Sequence, residues 1–489
     1  MIRLTALYLF GFGLAAYAWR DWFKALCGLI LMMAVIQHPD MPKNLFGIQG
    51  LNLWNIVLMS VLLAWLDARR RERLRWDMPG GVTVLFLMYM AVVVVSFLRL
   101  IPQRDLLSDD FTLAGIVSEY FVNALKWVVP GILLFDGCRS RERFNWAVAC
   151  TLAVFVVLAV QVIKWMPIDY ALSGDALEQR SSKILVKEVG YHRVNLSMIL
   201  AGASWAIFAA RTLVRGFWLQ LGVVLLSVLA LFAQSLTAGR TGYATWVVVG
   251  LALCLLRWRK YLLLAPLVAV LIVAAVPGAV ERFTQGFGQA DELQGAVAVD
   301  EYAVTSGRNL IWPYVIEKIK ERPVFGYGRL AMKTTGLQDF LWTELGEGFP
   351  HPHNAYLELL IDNGVVGALM VLPFYLLIVW KAVSVFRDSR SPVFVAAGGM
   401  TLALVLALLT AGFGSQTFYA REGSVGMWCA IGLLLRVERE RARALAGGAP
   451  VLAPRARPAV PGRLPASARR AAPAPATASL DDRLWARAS

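Results

Sequence analysis

The stretch GVTVLFLMYMAVVVVSFL, residues 81–98, carries no charged side chain and no proline. An apolar run of about 18 or more residues is long enough to cross a bilayer as a helix. In hydrocarbon the backbone must satisfy its own hydrogen bonds, which a single segment does only as a helix. The run is flanked by charge: Arg69, Arg70, Arg71, Arg73 and Arg75 precede it and Arg99 follows. Outward from it, similar runs recur at 4–19, 23–37, 51–66, 116–135, 144–164, 194–210, 217–235, 241–256, 261–279, 355–380, 394–413 and 424–436. The fold class that follows is all-α, a polytopic membrane bundle of roughly 12–13 transmembrane helices.

Composition agrees. The 489-residue chain is 58% hydrophobic and 17% charged, with a mean hydropathy of +0.59. Its net charge of +15 would suit a nucleic-acid partner, but the basic residues sit in alternate short connections rather than on one face. Arg139, Arg141 and Arg143 fill one connection, Arg211 and Arg215 the next, then Arg257, Arg259 and Lys260, then Lys381, Arg387 and Arg390. That alternation is the positive-inside pattern, so these connections are placed inside and nucleic acid is excluded as a partner. Cys27, Cys138, Cys150, Cys254 and Cys429 lie in apolar runs or at their inner ends, and no pair has metal-ligand spacing. Neither a disulfide framework nor a zinc site is implied. The first apolar run continues into Trp19-Arg20-Asp21-Trp22, which is not a cleavage pattern.

Four regions follow: N-terminal transmembrane helices over 1–279, an outer loop over 280–353, C-terminal transmembrane helices over 354–436, and an Ala/Pro/Arg-rich inner tail over 437–489 that cannot bury a core. The long loop is where function is expected. Within it, 309–321 reads as an amphipathic helix with Leu310, Ile311, Tyr314, Val315 and Ile319 on one face. Pro323 ends it and Phe325-Gly326-Tyr327-Gly328 forms a turn.

The densest chemistry is Pro350-His351-Pro352-His353-Asn354-Ala355-Tyr356-Leu357-Glu358, where the loop enters a span. A helix starting near His353 or Asn354 would place a positive helix end beside the imidazole and keep it neutral, as a general base must be. Tyr356 or Glu358, about a turn on, could orient the ring. Gly364 and Gly367 would let another helix approach. The plainer alternative is a capping or interfacial histidine beside a packed helix, and these residues alone do not separate the two. Arg193, Arg240 and Arg308 fall on the outer side, against the charge bias. A bound anion explains them as a group, because guanidinium forks pair with phosphate oxygens; singly, each reads as an interfacial side chain.

These residues resemble a known family. His353-Asn354, nine residues, then Gly364-Val365-Val366-Gly367 is similar to the H-[N/S/Q]-x9-G-x-x-[G/T/Y] pattern of the O-antigen ligase and O-antigen polymerase superfamily. GRTGYAT at 239–245 resembles that family's S-R-[T/S] helix start, and GRNLIWPYVIEKIKERPVFGYG at 307–328 its loop segment, a likeness covering about 190–435. The resemblance implies an inverting, GT-C-like glycosyltransferase of the bacterial inner membrane that works at the periplasmic face without metal or other cofactor. The donor it implies is a glycan on undecaprenyl pyrophosphate. The acceptor is lipid A–core for a ligase of lipopolysaccharide biosynthesis, another lipid-linked repeat for a polymerase, or a protein hydroxyl for a protein O-oligosaccharyltransferase. By the same resemblance His353 activates the acceptor hydroxyl and Arg240 and Arg308 hold the pyrophosphate. Arg193, in the divergent GYHRVNLSM, matches only roughly. A transporter of lipid-linked glycan is a rival class, although the two halves of the chain show no internal repeat. A structural scaffold would not need these cations at head-group depth.

Overall fold

The computed structural model describes residues 2–48, 50–108, 111–284, 289–290, 297–298, 307–346, 348–414 and 417–446. Among them, eight helical runs are long and apolar enough to cross a membrane: Gly80–Leu106, Leu113–Gly137, Arg141–Trp165, Arg193–Leu213, Phe217–Ser235, Arg240–Ala275, Ala355–Arg387 and Pro392–Ala411. Leu4–Tyr17 and Trp22–Ala34 are shorter and apolar. Leu53–Glu72 and Val425–Leu445 are apolar over their first turns and charged over their last. The expected spans all fall on these helices, and the chain is a multi-pass membrane protein. The Val425–Leu445 helix runs past the boundary expected at 436, and the tail beyond 446 lies outside the described residues.

Local signals start the helices where polar residues meet apolar runs. Asn52, Ser140 and Ser391 each cap a helix by accepting a backbone N–H of the first turn, and Pro392 occupies the first position of its helix. Burial then selects neighbours. The Pro392–Ala411 helix is buried along most of its length between Arg193–Ala210 and Ala355–Arg387. The Leu113–Gly137 and Val425–Leu445 helices cross with backbones in contact: a Cβ at Gly432 would sit 2.0 Å from the Gly131 carbonyl oxygen. Without a hydrophobic drive between helices in lipid, such close packing holds them.

One end of the bundle carries the basic connections predicted to lie inside. Arg436, fully buried, donates from Nη2 to Asp77 at 3.0 Å and from Nε to the Phe135 carbonyl at 2.6 Å. Asp136 accepts from Arg69 and, at 2.7 Å, from Arg139. Arg99, His192 and the 307–358 segment lie at the opposite end. Helix direction thus sorts the charges as the alternation in the sequence implies.

The feature that builds the outer end is a break. The Ala355–Arg387 helix has one non-helical residue inside it, Gly364, at φ 62° and ψ −168°. Freed backbone groups around it pair with the loop. Val365 and Val366 N–H donate to the Pro323 and Val324 carbonyls at 2.9 and 3.1 Å, and Tyr327 and Gly328 N–H donate to the Ile361 and Asp362 carbonyls at 2.9 and 2.7 Å. Irregular backbone at this depth is tolerable because protein supplies those partners. Arg99 fastens the same turn from the Gly80–Leu100 helix, donating to the Gly326 carbonyl at 2.6 Å and to the Phe325 carbonyl.

Two expectations change here. Gly364 does admit a close neighbour, but the neighbour is the 323–328 backbone and not another helix: a Cβ there would lie 2.3 Å from Val324. At Gly367 a Cβ would first meet the Asn363 side chain of its own helix at 2.2 Å, with Val92 of the Gly80–Leu100 helix farther off at 3.8 Å. The loop helix spans Arg308–Glu321 and stops before Pro323 as expected, yet its buried stripe is Ile311 and Val315, with Trp312 and Ile319 beside them. Leu310 and Tyr314 are exposed. The stripe covers Ile361 on the outer half of the broken helix, so the loop owns a small core with Tyr327, Met332 and Leu341.

Gly364→Ala tests the break. The methyl group meets backbone, and φ is in the left-handed region, so a loss of roughly 1–3 kcal/mol is expected. Hydrogen exchange should rise across 323–328 and 361–366; unchanged protection there would show that the break does not depend on glycine.

Candidate active site

Three of the sequence-predicted arginines converge. Arg193 begins one helix, Arg240 begins another, and Arg308 begins the loop helix. All three line one cleft of about 420 Å³, together with Arg282, Thr410 and Phe413. The turn before Arg240 is fixed by Ser197, whose hydroxyl donates to the Gly239 carbonyl at 3.0 Å, and by Arg193, which donates to the Ala238 carbonyl at 2.7 Å. Arg240 therefore projects from a held helix start, not from a free loop.

Arg282 is a residue the sequence reading passed over. It lies on Pro277–Thr284, after the chain has turned at 259–264 and come back to the level of Arg240. Its guanidinium is buried and pairs with Glu178 at 2.6 Å, and Glu178 also accepts from Arg193. One carboxylate thus pairs with two of the four guanidinium groups that line the cleft. It offsets part of the repulsion among them and leaves the cleft strongly cationic, so an anion entering it is met by preplaced donors. The signal available in the sequence was position alone: a basic residue on the outer side after an apolar run, the same reasoning that marked Arg240.

His353 lies at the edge of this cluster, outside the helix and not in its first turn. It adopts φ 52°, a left-handed conformation uncommon for a residue with a side chain. Asn354 is the helix cap, accepting from Tyr356 N–H at 2.9 Å and Leu357 N–H at 3.2 Å. The turn is held from three sides. His351 Nδ1 accepts from His353 N–H at 3.3 Å, Trp312 of the loop helix donates to the Pro352 carbonyl at 3.0 Å, and Ala355 N–H donates to the Gly412 carbonyl at 2.7 Å. Backbone strain of this kind persists where surroundings over-determine it, and it clusters at functional sites.

The imidazole of His353 is neutral at pH 7. Burial is the main cause, and His351, Arg308 and His192 add to it, taking its pKa down to about 3. Burial also lowers His351. The expected neutrality is therefore present, but it comes from desolvation and neighbouring cations and not from a helix end alone. Arg308 is close enough for its charge to act on the ring, which ties His353 to the cationic cleft.

The residues expected to orient the imidazole do other things. Tyr356 turns away: its hydroxyl donates to the Leu409 carbonyl at 2.8 Å and its ring packs on Phe413. Glu358 pairs with Arg329 at 3.2 Å. The partner that the structure places on His353 is His351, with ring centroids 4.2 Å apart. Arg329 is a second residue missed in the sequence. It lies on the far side of the histidine pair, buried, over the Tyr419 ring at 3.4 Å, and also 3.5 Å from Asp362. Burial opposes its charge, and Tyr419, Glu358 and Asp362 outweigh burial and hold it firmly protonated.

Comparison with known proteins meets this geometry. Residues 222–372 match the sequence model of the family described as O-antigen ligase. A curated relative, the general O-oligosaccharyltransferase of Acinetobacter baylyi (strain ATCC 33305 / BD413 / ADP1), is 20% identical over 300 residues. That alignment covers 58% of this chain and 51% of the relative, so the chain spans about half of that protein's length. The matched segment is narrower than the likeness read at 190–435, yet it holds Arg240, Arg282, Arg308, His353 and the break at Gly364. Over residues 222–372 the chain is accordingly similar to the O-antigen ligase family.

Proposed function

We propose that the protein transfers a glycan from undecaprenyl pyrophosphate to an acceptor hydroxyl at the periplasmic face of the bacterial inner membrane, as an O-antigen ligase acting on lipid A–core. The observation that carries this reading is the meeting of Arg193, Arg240, Arg282 and Arg308 in one cleft with a neutral histidine in electrostatic reach of Arg308. Pyrophosphate is the anion that such a set of forks suits, and Phe283 and Phe413 in the same lining offer apolar surface to a lipid tail.

The chemistry runs as one displacement. The acceptor oxygen forms a bond to the anomeric carbon while the bond from that carbon to the pyrophosphate oxygen breaks. The hydroxyl proton passes to the His353 imidazole, and undecaprenyl pyrophosphate leaves with the electron pair. Attack from the face opposite the leaving group inverts the anomeric centre. The arginines stabilise the charge that grows on the leaving oxygen, which is the larger catalytic effect in preorganised sites of this type. The pyrophosphate bond is already activated, so the step itself calls for no nucleotide.

A second reading shares the donor and differs in the acceptor. The Acinetobacter baylyi relative is named as an O-oligosaccharyltransferase, which favours a protein hydroxyl as the acceptor. Lipopolysaccharide and lipid-linked oligosaccharides from a deletion strain separate these. Loss of capped lipid A–core with long lipid-linked chains retained supports the ligase, accumulation of single repeats a polymerase, and intact lipopolysaccharide with unmodified glycoprotein the second reading.

His353→Ala is expected to insert normally and to lower transfer by roughly 10²–10⁴-fold, the usual worth of a general base. Wild-type turnover in that variant would remove His353 from the reaction. Arg240→Ala should weaken use of the donor by roughly tenfold or more, and Arg240→Lys should restore only part of it, since a point charge replaces a fork. Full activity in both would rule out a pyrophosphate contact.

The pH dependence has a definite sign. An ordinary histidine base would lose half its activity as pH falls through about 6.5. With the pKa of His353 near 3, the base form persists far below that. For the free protein, kcat/KM for donor should stay flat as pH falls through that ordinary value. A half-loss close to it would contradict the environment described for the ring.

A further inference from the structure

A second cavity, of about 150 Å³, lies across the histidine pair from the arginine cleft. Its lining includes His351, Pro352, Glu358, Arg329, Lys333 and Arg421. The two cavities have no lining residue in common, and the histidine pair links them. His351 faces the small one, while its ring neighbour His353 feels the charge of Arg308 in the large one. The segment after the Pro392–Ala411 helix gives Thr410 and Phe413 to the large cavity and Thr417 and Arg421 to the small one.

The small cavity has the chemistry of a sugar site. Drug-sized ligands need roughly 300–1,000 Å³, so this space suits something nearer one ring. Glu358 offers a carboxylate to hydroxyl donors, and Tyr120 and His351 offer ring faces. Arg329 is nine-tenths buried, and its Nε has no hydrogen-bond partner among the described residues. A buried donor without a partner costs free energy comparable to a lost hydrogen bond, which a ligand oxygen would recover. Its Nη1 is engaged by Glu358 at 3.2 Å and Asp362 at 3.5 Å. Two further cations stand in the lining: Lys333, over the Phe111 ring at 4.3 Å, and Arg421, exposed to solvent.

We infer that this cavity is the acceptor subsite: it holds the terminal sugar of an acceptor glycan that carries an anionic substituent, with Arg329 and Glu358 gripping the sugar and Lys333 and Arg421 reading the anion. The inference rests on the transferase reading above and adds the acceptor's position and chemical class. The acceptor hydroxyl then reaches His353 from the side opposite the pyrophosphate arginines. That is the side from which a displacement at the anomeric carbon must come. A neutral glycan or a peptide acceptor would leave Lys333 and Arg421 without a role.

The test uses the full-length protein in lipid nanodiscs, lipid-linked donor, and lipid A–core as acceptor, either intact or stripped of phosphate with hydrofluoric acid. Lys333→Gln and Arg421→Gln are each expected to raise KM for the intact acceptor by roughly tenfold, the scale of one charge-assisted hydrogen bond, with KM for donor unchanged. Arg421→Lys should recover most of that loss. Phosphate removal should raise the wild-type KM similarly and erase the difference between wild type and both variants. Arg421 is exposed, so its replacement leaves packing alone and keeps the test valid should Lys333→Gln fail to insert. Unchanged acceptor KM in Arg421→Gln, or a rise in donor KM instead, overturns the subsite. A wild-type protein that transfers to peptide and not to glycan overturns it too, while the transferase reading survives. Wild-type protein that transfers to no acceptor sinks both.

Discussion

Four backbone hydrogen bonds across the break at Gly364 decide the outer half of this protein. A helix interrupted in a membrane exposes N–H and C=O groups that lipid cannot satisfy. Here the Pro323–Gly328 backbone satisfies them, so the loop cannot lift away without leaving those groups bare. With that turn pinned, the loop helix before it covers Ile361, and Trp312 reaches the Pro352 carbonyl. Asp362, beside the break, accepts from the Ala331 N–H at 3.1 Å and from the Tyr419 hydroxyl at 3.0 Å. The same local irregularity thus seats the loop, the turn that carries His353, and the buried Arg329.

The electrostatic arrangement depends on that seating. Arg308 is the one member of the cationic cleft carried by the loop helix, and it brings the cleft's field to His353. The other three come from the bundle, held by Glu178, the Ala238 carbonyl and helix starts. An imidazole kept neutral by desolvation sits beside cations kept charged by their chemistry. The proposed transfer from pyrophosphate would need both: a proton acceptor for the incoming hydroxyl and charge stabilisation for the leaving group.

Much of this was legible in the sequence, for identifiable reasons. The spans were readable because a bilayer imposes a length and an absence of charge, and both are local properties. Arg193, Arg240 and Arg308 were readable because outer cations run against a known bias, and the structure puts all three in one cleft. Arg282 and Arg329 obeyed the same bias and were missed because no short motif surrounds them. Glu178 became meaningful only once two arginines from distant segments reached it. Gly364 was read as a helix-packing residue because hydropathy continues smoothly through the break, and its backbone partner lies some forty positions upstream. The face of the loop helix was misjudged for a related reason. Leu310 and Tyr314 are as apolar as Ile311 and Val315, and only the position of Ile361 decides which pair is buried. Tyr356 failed as an orienting group because the Leu409 carbonyl, on another helix, claimed its hydroxyl.

The most direct test of the central claim is an electron cryomicroscopy map of the protein in nanodiscs with undecaprenyl pyrophosphate bound. The account predicts pyrophosphate density between the guanidinium groups of Arg240, Arg282 and Arg308, with His353 beside it and the polyprenyl chain leaving past Phe413. Density in another part of the molecule, or a pyrophosphate that none of those arginines contacts, would contradict it.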